Sequence, residues 1–280
     1  MSRISIIIVS YNEKEYLNEC LNSCMLQKEY NDIEIIIGDD GSDDGSIDYI
    51  KDICSKNNGI IKYFVMDRNE EYYVPSLRVS NVIKRALSMT TGDYCLILSG
   101  DDKLLGNTFL SKAKEFLDLN KDYSCVLSNS FVRFWDDGKT VNSGIPMVTP
   151  SEYWKGYFME DIMFGYRQRS GSITHEADEL ELCLLELMLF QDCLNKGWEK
   201  KATYSRFYKP FKYVKEHRME LNNPKYEKYF KSSYLYKNNV IGYLKDYTRI
   251  NYVNYLFNNC EKNYTNLILN TNKKINLIAS

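Results

Sequence analysis

Within its first 100 residues the chain alternates short β-branched apolar runs with segments of helical periodicity, and few folds accommodate this alternation. Ile4–Val9 is almost continuously apolar, which is typical of a strand buried on both faces. Apolar residues spaced three and four apart follow between 16 and 24, as on the inner face of a helix. Strands separated by single helices pair in parallel through right-handed crossovers. The sequence therefore predicts an α/β fold with a Rossmann-like, mostly parallel central sheet flanked by helices.

The later elements repeat this pattern. Strands are predicted at 33–37, 60–65, 94–98 and 123–132, and helices at 45–54, 76–89 and 176–196. Gly197 ends the last of these helices, and 136–139 carries a hairpin-turn signal. No apolar run reaches the roughly 18 residues that a membrane-spanning helix needs.

Polar clusters follow three of the predicted strands, at Ser10–Glu13, Asp39–Ser42 and Ser99–Asp102. Ligands of parallel sheets bind beyond the carboxyl ends of the strands, so we expect these clusters to line one cleft. Crowded carboxylates raise one another's pKa unless a cation lies between them, and Mg²⁺ or Mn²⁺ suits oxygen ligands. The cleft therefore indicates a nucleotide or phosphate substrate held through a metal. Taken alone, 39–45 fits a solvated turn equally well, whereas the calcium-loop pattern fails because no Glu stands at the required distance.

Charge is distributed unevenly along the chain. Residues 200–280 carry 16 Lys and Arg against 5 Asp and Glu, a net charge of +11, while the remainder carries 20 against 33, a net charge of −13. This basic segment, rich in Tyr and Asn, fits a solvated helical surface or a face for an anionic membrane or diphosphate. The eight Cys form no Cys-x-x-Cys pair, which argues against zinc and disulfides. Together with the absence of a signal-peptide pattern, this predicts a cytoplasmic protein.

Three ordered motifs carry a family resemblance: Val9–Glu13, Asp39–Ser46, and Gly92–Tyr94 leading to Ser99–Asp102. Their order, spacing and strand-end placement resemble the family 2 glycosyltransferases of the GT-A fold, firmly across 1–130 and more thinly to about 220. The resemblance implies inverting transfer of a hexose or N-acetylhexosamine from a nucleotide-diphosphate donor, UDP favoured, to a glycan acceptor. It also implies Mn²⁺ or Mg²⁺ as cofactor.

The resemblance assigns residues to the donor. The nucleoside pocket would be lined by Ser10, Tyr11 and Glu13. Asp40 would accept a hydrogen bond from the base, typically uracil, while Asp39 supports the turn. Arg78 falls where relatives place a basic residue near the base or the diphosphate.

The metal motif departs from the family's usual Asp-x-Asp-Asp because Ser99 replaces the first Asp. Asp101 keeps the position that binds metal and donor, and Asp102 would serve as second ligand or hold a water. His217 lies in a segment resembling Tyr-Arg-x-His-x-x-Ser, with Val214 in place of Arg, and would touch the metal or the diphosphate. An ordinary surface histidine is the alternative.

An inverting displacement needs a carboxylate that deprotonates the acceptor hydroxyl. Relatives carry a Glu-Asp pair about eleven residues before the glycine that closes the helix. Counting back from Gly197 leads to Leu185 and Glu186, so Glu186 is the predicted base. Three nearby acids remain alternatives: Asp178, Glu179 and Glu181.

These assignments predict three segments: a nucleotide-sugar-binding half at 1–102, an acceptor-binding and catalytic half at 103–220, and a basic helical C-terminal extension at 221–280. We expect a lipid-linked glycan acceptor, as in bacterial surface polysaccharide synthesis, and peripheral contact of the extension with the inner face of the plasma membrane.

The sequence leaves one alternative function open and argues against three others. Ser99 and Leu185, at positions where relatives carry acids, keep open a non-catalytic nucleotide- or carbohydrate-binding module. A nucleotidyltransferase would need a Gly-rich basic loop after the first strand, and a dehydrogenase a Gly-x-Gly-x-x-Gly motif; the chain has neither. Nucleic-acid binding is not expected because the candidate cleft is acidic.

Overall fold

A computed structural model divides the chain into two compact units: Met1–Glu70 with Leu77–Ser170, and Glu71–Ser76 with Gly171–Ser280. The residues it describes are 2–27, 32–57, 59–68, 75–128, 130–143, 156–160, 162–172, 177–186, 209–210, 212–214, 216–217, 219–226 and 229. Most of the predicted extension at 221–280, and the end of the predicted helix at 176–196, lie outside these residues. The predicted boundaries after 102 and 220 stay predictions.

The first unit contains the predicted parallel sheet. Its strands are β1 (Ile4–Ser10), β2 (Ile33–Asp39), β3 (Ile61–Val65) and β4 (Tyr94–Ser99), in the order β3-β2-β1-β4. All seven residues of β1 are buried, as its apolar run predicted. In the register of β1, Ser10 lies opposite Asp39 of β2, and Val9 lies opposite Ser99 of β4. The three strands therefore end side by side.

Helices cover both faces of this sheet: α1 (Lys14–Met25), α2 (Ser46–Lys56), α3 (Pro75–Leu87) and α4 (Phe109–Leu119). Alternate residues of β1 serve two cores, because side chains alternate across a strand. Ile4, Ile6 and Ile8 join the core that contains buried residues of α1, α2 and α4. Ile7 and Val9 join the core that contains Val82 and Ala86 of α3. The predicted α/β layering is confirmed.

A glycine permits the close approach of α3 to the sheet. A Cβ built on Gly38 of β2 would lie 2.4 Å from Val82 Cγ1 and 2.6 Å from Phe64 Cζ. Any larger residue would push the helix outward, so the packing on this face depends on Gly38.

The described residues of the first unit also contain six short strands: β5 (Lys103–Leu104), β6 (Cys125–Ser128), β7 (Phe131–Phe134), β8 (Thr140–Ser143), β9 (Gly156–Met159) and β10 (Phe164–Arg167). Four form a mixed sheet in the order β5-β10-β7-β8, and β6 pairs with β9. The single strand predicted at 123–132 is instead two strands in different sheets. The predicted turn at 136–139 joins β7 to β8, with Gly138 at a φ of 86°. No helix among the described residues is long and apolar enough to cross a membrane.

A buried carboxylate ties the sheet together away from the strand ends. Glu34 is fully buried and accepts hydrogen bonds from Ser5 Oγ (2.7 Å), Thr91 N (2.5 Å) and Lys62 Nζ (3.0 Å). Burial alone would raise the pKa of Glu34, but these hydrogen bonds outweigh it and lower the pKa to about 2.

We predict that Glu34→Gln lowers the free energy of unfolding at pH 7 by about 2 kcal/mol, since four donors, the Thr91 hydroxyl among them, lose a charged acceptor. The folded-state pKa lies below that of the unfolded chain, so this stabilisation is present above about pH 4.5 and fades as pH falls towards about 2. Urea unfolding at pH 7 and pH 3 checks this, with the exposed Glu115→Gln of α4 as control. A wild-type advantage of equal size at both pH values would contradict it.

Candidate active site

The loops after β1 and β2 are joined by paired hydrogen bonds. Asn12 Nδ2 donates to Asp43 Oδ1 (2.9 Å), and Asp43 N donates back to Asn12 Oδ1 (3.0 Å). Asn12 has a left-handed φ of 52°, a conformation that Asn tolerates better than most residues. Asp40 N donates to the carbonyl of Ser10 at 2.9 Å. Two of the predicted clusters therefore lie against each other.

Asp39 builds the turn after β2. Its fully buried carboxylate accepts hydrogen bonds from Gly41 N (3.0 Å), Ser42 N (2.8 Å) and Ser42 Oγ (2.7 Å). Both carboxylate oxygens are used within the loop. This geometry gives Asp39 a structural role.

Asp40 is paired with Arg78 of α3. Arg78 Nε lies 2.6 Å from Asp40 Oδ2, and Nη2 lies 2.8 Å from Oδ1, a two-bond contact between buried side chains. These two hydrogen bonds fix the plane of the Asp40 carboxylate, so the carboxylate presents a single orientation to any ligand that contacts it.

Two further residues assigned to the nucleoside lie beside this pair. Tyr11 is exposed, and the guanidinium of Arg68 lies 3.8 Å from its ring centroid. The hydroxyl of Ser10 is buried and has no hydrogen-bond partner among the described residues. An aromatic face and an unmatched buried hydroxyl are features that a planar polar ligand can use.

Three buried carboxylates meet beyond β1 and β4: Glu13, Asp101 and Asp102. A Cβ on Gly100 would lie 2.4 Å from Glu13 Oε2, so a larger residue there would displace the Glu13 carboxylate. That same oxygen has no hydrogen-bond partner among the described residues. The cluster is thus compact and incompletely satisfied.

Arg169 bridges two of these acids, and sequence reasoning missed it. Its Nε donates to Asp101 Oδ2 at 2.7 Å, and its Nη2 donates to Glu13 Oε1 at 3.0 Å. The Arg169 side chain is only 14% exposed. One signal in the sequence could have indicated it. Arg167 and Arg169 lie two residues apart, in a part of the chain where acids outnumber bases, so they were candidates to neutralise an acidic cluster.

Arg167, at the end of β10, was missed as well. Its main-chain N–H donates to Asp102 Oδ1 (2.9 Å), and its Nε donates to the carbonyl of Asp101 (2.9 Å). Its two Nη atoms contact Glu19 and Asp136. Arg167 therefore fixes both the backbone and the side chains of the acidic loop.

The two arginines do not fully offset the crowding of charge. Burial, followed by the nearby Asp101 carboxylate, raises the pKa of Glu13 well above its usual value despite Arg169. The same two causes raise the pKa of Asp102 to about 7. The cluster therefore favours either a proton or an additional cation.

The acids fit a divalent metal only together with a substrate. Among the described residues, no group of three or more His, Cys, Asp or Glu is arranged to hold a metal. The hydrogen bond from Arg169 to the Asp101 side chain uses Oδ2, which leaves Oδ1 as the oxygen for an ion. Mg²⁺ and Mn²⁺ are held in this way in nucleotide sites, by one or two carboxylates plus phosphate oxygens and water.

His217 belongs to the second unit. Its ring stacks on Tyr213 with centroids 4.0 Å apart, and its Nδ1 lies 2.9 Å from the carbonyl of Tyr213. A carbonyl only accepts, so Nδ1 is the donor of this hydrogen bond. Nε2 is then the ring nitrogen that a metal could contact.

Two of the alternative bases are occupied by structural contacts in the second unit. Glu181 N donates to Asp178 Oδ1 (2.8 Å) and Asp178 N donates to Glu181 Oε2 (3.3 Å), which is a capping box at the start of the helical residues 179–186. Tyr229 and Lys225 also bind Glu181, at 3.1 Å and 3.3 Å. Both acids stabilise this helix end.

Glu186 lies two turns after Glu179 on the same helix and is half-buried, whereas Glu179 is exposed. Burial, followed by the charges of Glu179 and Glu186, raises the pKa of the Cys183 thiol to about 11. Both glutamates therefore lie on the side of the helix near Cys183.

The predicted donor and metal residues other than His217 all lie in the first unit, at or beside the strand ends described above.

Comparisons with known proteins agree with the ordered motifs. The sequence model of Glycosyl transferase family 2 matches residues 5–174. Abequosyltransferase RfbV of Salmonella typhimurium is 36% identical over 124 residues, which cover 44% of this chain and 35% of the relative. The GalNAc(5)-diNAcBac-PP-undecaprenol beta-1,3-glucosyltransferase of Campylobacter jejuni is 28% identical over 57% of this chain and 48% of its own. The chain thus spans less than half the length of both relatives.

Two solved structures share the fold. S. aureus TarS 1–349 in complex with UDP-GlcNAc superposes with a TM-score of 0.52 at 14% identity, over 97% of this chain and 92% of its own. The mannosyltransferase PcManGT of Pyrobaculum calidifontis, in complex with GDP-Man and Mn²⁺, has a TM-score of 0.52 at 12% identity, over 89% and 88%. Since the family match covers more than half of the chain and the predicted α/β architecture is present, this chain belongs to glycosyl transferase family 2 and has its GT-A fold.

Proposed function

We propose that this chain is the catalytic domain of a metal-dependent inverting glycosyltransferase that takes a sugar from a nucleotide-diphosphate donor, with UDP favoured. The observation that carries the proposal is the buried cluster of Glu13, Asp101 and Asp102, which lies at the carboxyl ends of parallel strands and favours a further cation. Donors of this kind are bound by the structural neighbours, UDP-GlcNAc by TarS and GDP-Man with Mn²⁺ by PcManGT.

The nucleoside would bind between the loops after β1 and β2. Tyr11 offers a ring face, the buried Ser10 hydroxyl offers a donor and an acceptor, and Asp40 accepts the N–H of a uracil base. Arg78 holds the Asp40 carboxylate in the plane needed for that contact.

The diphosphate would bind at Asp101. Asp101 Oδ1 is the proposed protein ligand of Mn²⁺ or Mg²⁺, and Asp102, oriented by Arg167, would hold a water of the ion. The family resemblance adds His217 as a residue that would touch the metal or the diphosphate. When bound, the ion supplies positive charge that stabilises the departing nucleotide diphosphate.

Glu186 would act as the general base. Its carboxylate takes the proton of an acceptor hydroxyl while that oxygen forms the new bond to the anomeric carbon from the side opposite the diphosphate. The bond from the anomeric carbon to the diphosphate oxygen breaks in the same step, so configuration inverts.

The acceptor would be a hydroxyl of a lipid-linked glycan in bacterial surface polysaccharide synthesis. A lipid-linked glycan is named for the Campylobacter relative, and the basic segment at 200–280 suits anionic headgroups at the inner face of the plasma membrane. Residues 1–102 would then bind the donor, 103–220 the acceptor, and 221–280 the membrane.

A non-catalytic binding module is the second candidate, favoured by Ser99 in the metal motif and by the contact of Arg169 with Asp101. Turnover separates the two functions, because a module binds a nucleotide sugar without cleaving it.

We predict that the protein releases UDP from a UDP-sugar in the presence of Mn²⁺, with water as the acceptor when no glycan is supplied. Asp101→Asn should lower this rate about 100-fold or more, because the leaving diphosphate loses its charge stabilisation. UDP release across a panel of UDP-, GDP- and dTDP-sugars measures this, with the exposed Asp52→Asn of α2 as matched control. Binding of a donor without turnover by the wild type would favour the module.

We predict that Glu186→Gln lowers the same rate about 10²- to 10⁴-fold, the usual contribution of a general base, while the Kd for UDP with Mn²⁺ stays unchanged. Glu179→Gln, two turns away on the same helix, is the matched control and should keep the wild-type rate. Loss of turnover in Glu179→Gln with full turnover in Glu186→Gln would assign the base to Glu179 instead.

A further inference from the structure

The segment at the end of β10 places two arginines on the acidic cluster, and different contacts hold them. Arg167 is bound to main chain and side chains alike, through the Asp101 carbonyl, the Asp102 carboxylate and two further acids. Arg169 follows two residues later, and its side chain reaches the Asp101 and Glu13 carboxylates from a backbone that the Arg167 main-chain contact with Asp102 anchors.

Arg169 is held chiefly by the carboxylates that the proposed site needs. Its Nε lies 2.7 Å from Asp101 Oδ2 and its Nη2 lies 3.0 Å from Glu13 Oε1. Its guanidinium lies 5.2 Å from the ring centroid of Tyr16, and Nη1 is 3.4 Å from the carbonyl of the adjacent Ser170. A competing cation at Asp101 would weaken the 2.7 Å contact directly.

We propose that Arg169 is an exchangeable counterion, which competes with the divalent metal for Asp101 and so makes metal binding depend on the nucleotide diphosphate. This inference rests on the proposed function. Two cations at one buried carboxylate repel each other strongly, because the surrounding dielectric is low. A diphosphate offers the guanidinium of Arg169 a new pair of oxygens in the geometry it prefers. Arg169 is thus a positioning residue that acts through Asp101.

The test is Mn²⁺ binding by the full chain, followed by the electron paramagnetic resonance signal of free Mn²⁺, without and with saturating UDP. Wild type should bind Mn²⁺ weakly alone and at least about ten-fold more tightly with UDP. In Arg169→Gln the competing charge is gone, so the Kd for Mn²⁺ alone should fall about ten-fold, and the tightening by UDP should shrink accordingly.

Two further variants support the comparison. Arg133→Gln removes an exposed arginine of β7, outside the acidic cluster, and should bind Mn²⁺ as wild type does. Arg169→Lys keeps the charge, but one ammonium cannot reproduce the two-bond bridge, so the Kd for Mn²⁺ alone should fall about three-fold. If circular dichroism shows that Arg169→Gln is unfolded, Arg169→Lys provides the test.

The outcomes separate the inference from the proposed function. An unchanged Kd for Mn²⁺ alone in the folded Arg169 variant overturns the inference, even when wild type binds UDP and Mn²⁺ together. Failure of wild type to bind UDP with Mn²⁺ overturns the proposed function, and the inference with it.

Discussion

The register of β1 with its two neighbours determines where the polar clusters at the strand ends lie. Ser10 pairs with Asp39, and Val9 pairs with Ser99, so three strands end at one level. The register is held because β1 is buried on both faces: shifting it by one residue would move its side chains to the opposite face and disrupt two separate cores. Because the strands end at one level, the loops that follow them lie close together, and the Asn12–Asp43 hydrogen bonds join two of these loops.

Bringing acids together in this way costs free energy. Two arginines from the later strands of the first unit offset part of this cost. Removing one partner from a buried ion pair usually costs about 3–5 kcal/mol. Arg167 and Arg169 both reach the cluster from the end of β10, a strand in the mixed sheet. Arg167 is integrated into the backbone of the acidic loop, whereas Arg169 contacts carboxylates that a substrate would also need. The same strand end therefore provides one cation for the backbone of the acidic loop and one for the Asp101 and Glu13 carboxylates.

The sequence allowed prediction of the features that depend on short-range pattern. The buried strands, the covering helices and the strand-end clusters follow from periodicity, and the family from ordered motifs. Arg169 was not predicted because its partner Glu13 lies 156 residues away in the sequence, and a local pattern cannot indicate such a contact. The strand predicted at 123–132 was wrong in extent, because its two ends join different sheets. The Asp178–Glu181 capping box, in contrast, has a local signature that was available. The roles assigned to the site residues, in donor binding, metal binding and catalysis, stay predictions.

The most direct measurement of the central claim is a thermal-shift series with UDP, GDP, dTDP and CMP, each with and without Mn²⁺. A ligand that binds the folded state at about 100 times its Kd adds about 2.7 kcal/mol of stability, which corresponds to roughly 5–10 °C in Tm for a domain of this size. We predict such a shift with one nucleoside diphosphate, only when Mn²⁺ is present, and its loss in Asp101→Asn. The absence of a shift with every nucleotide, in a protein that unfolds cooperatively, would contradict a donor site at these strand ends.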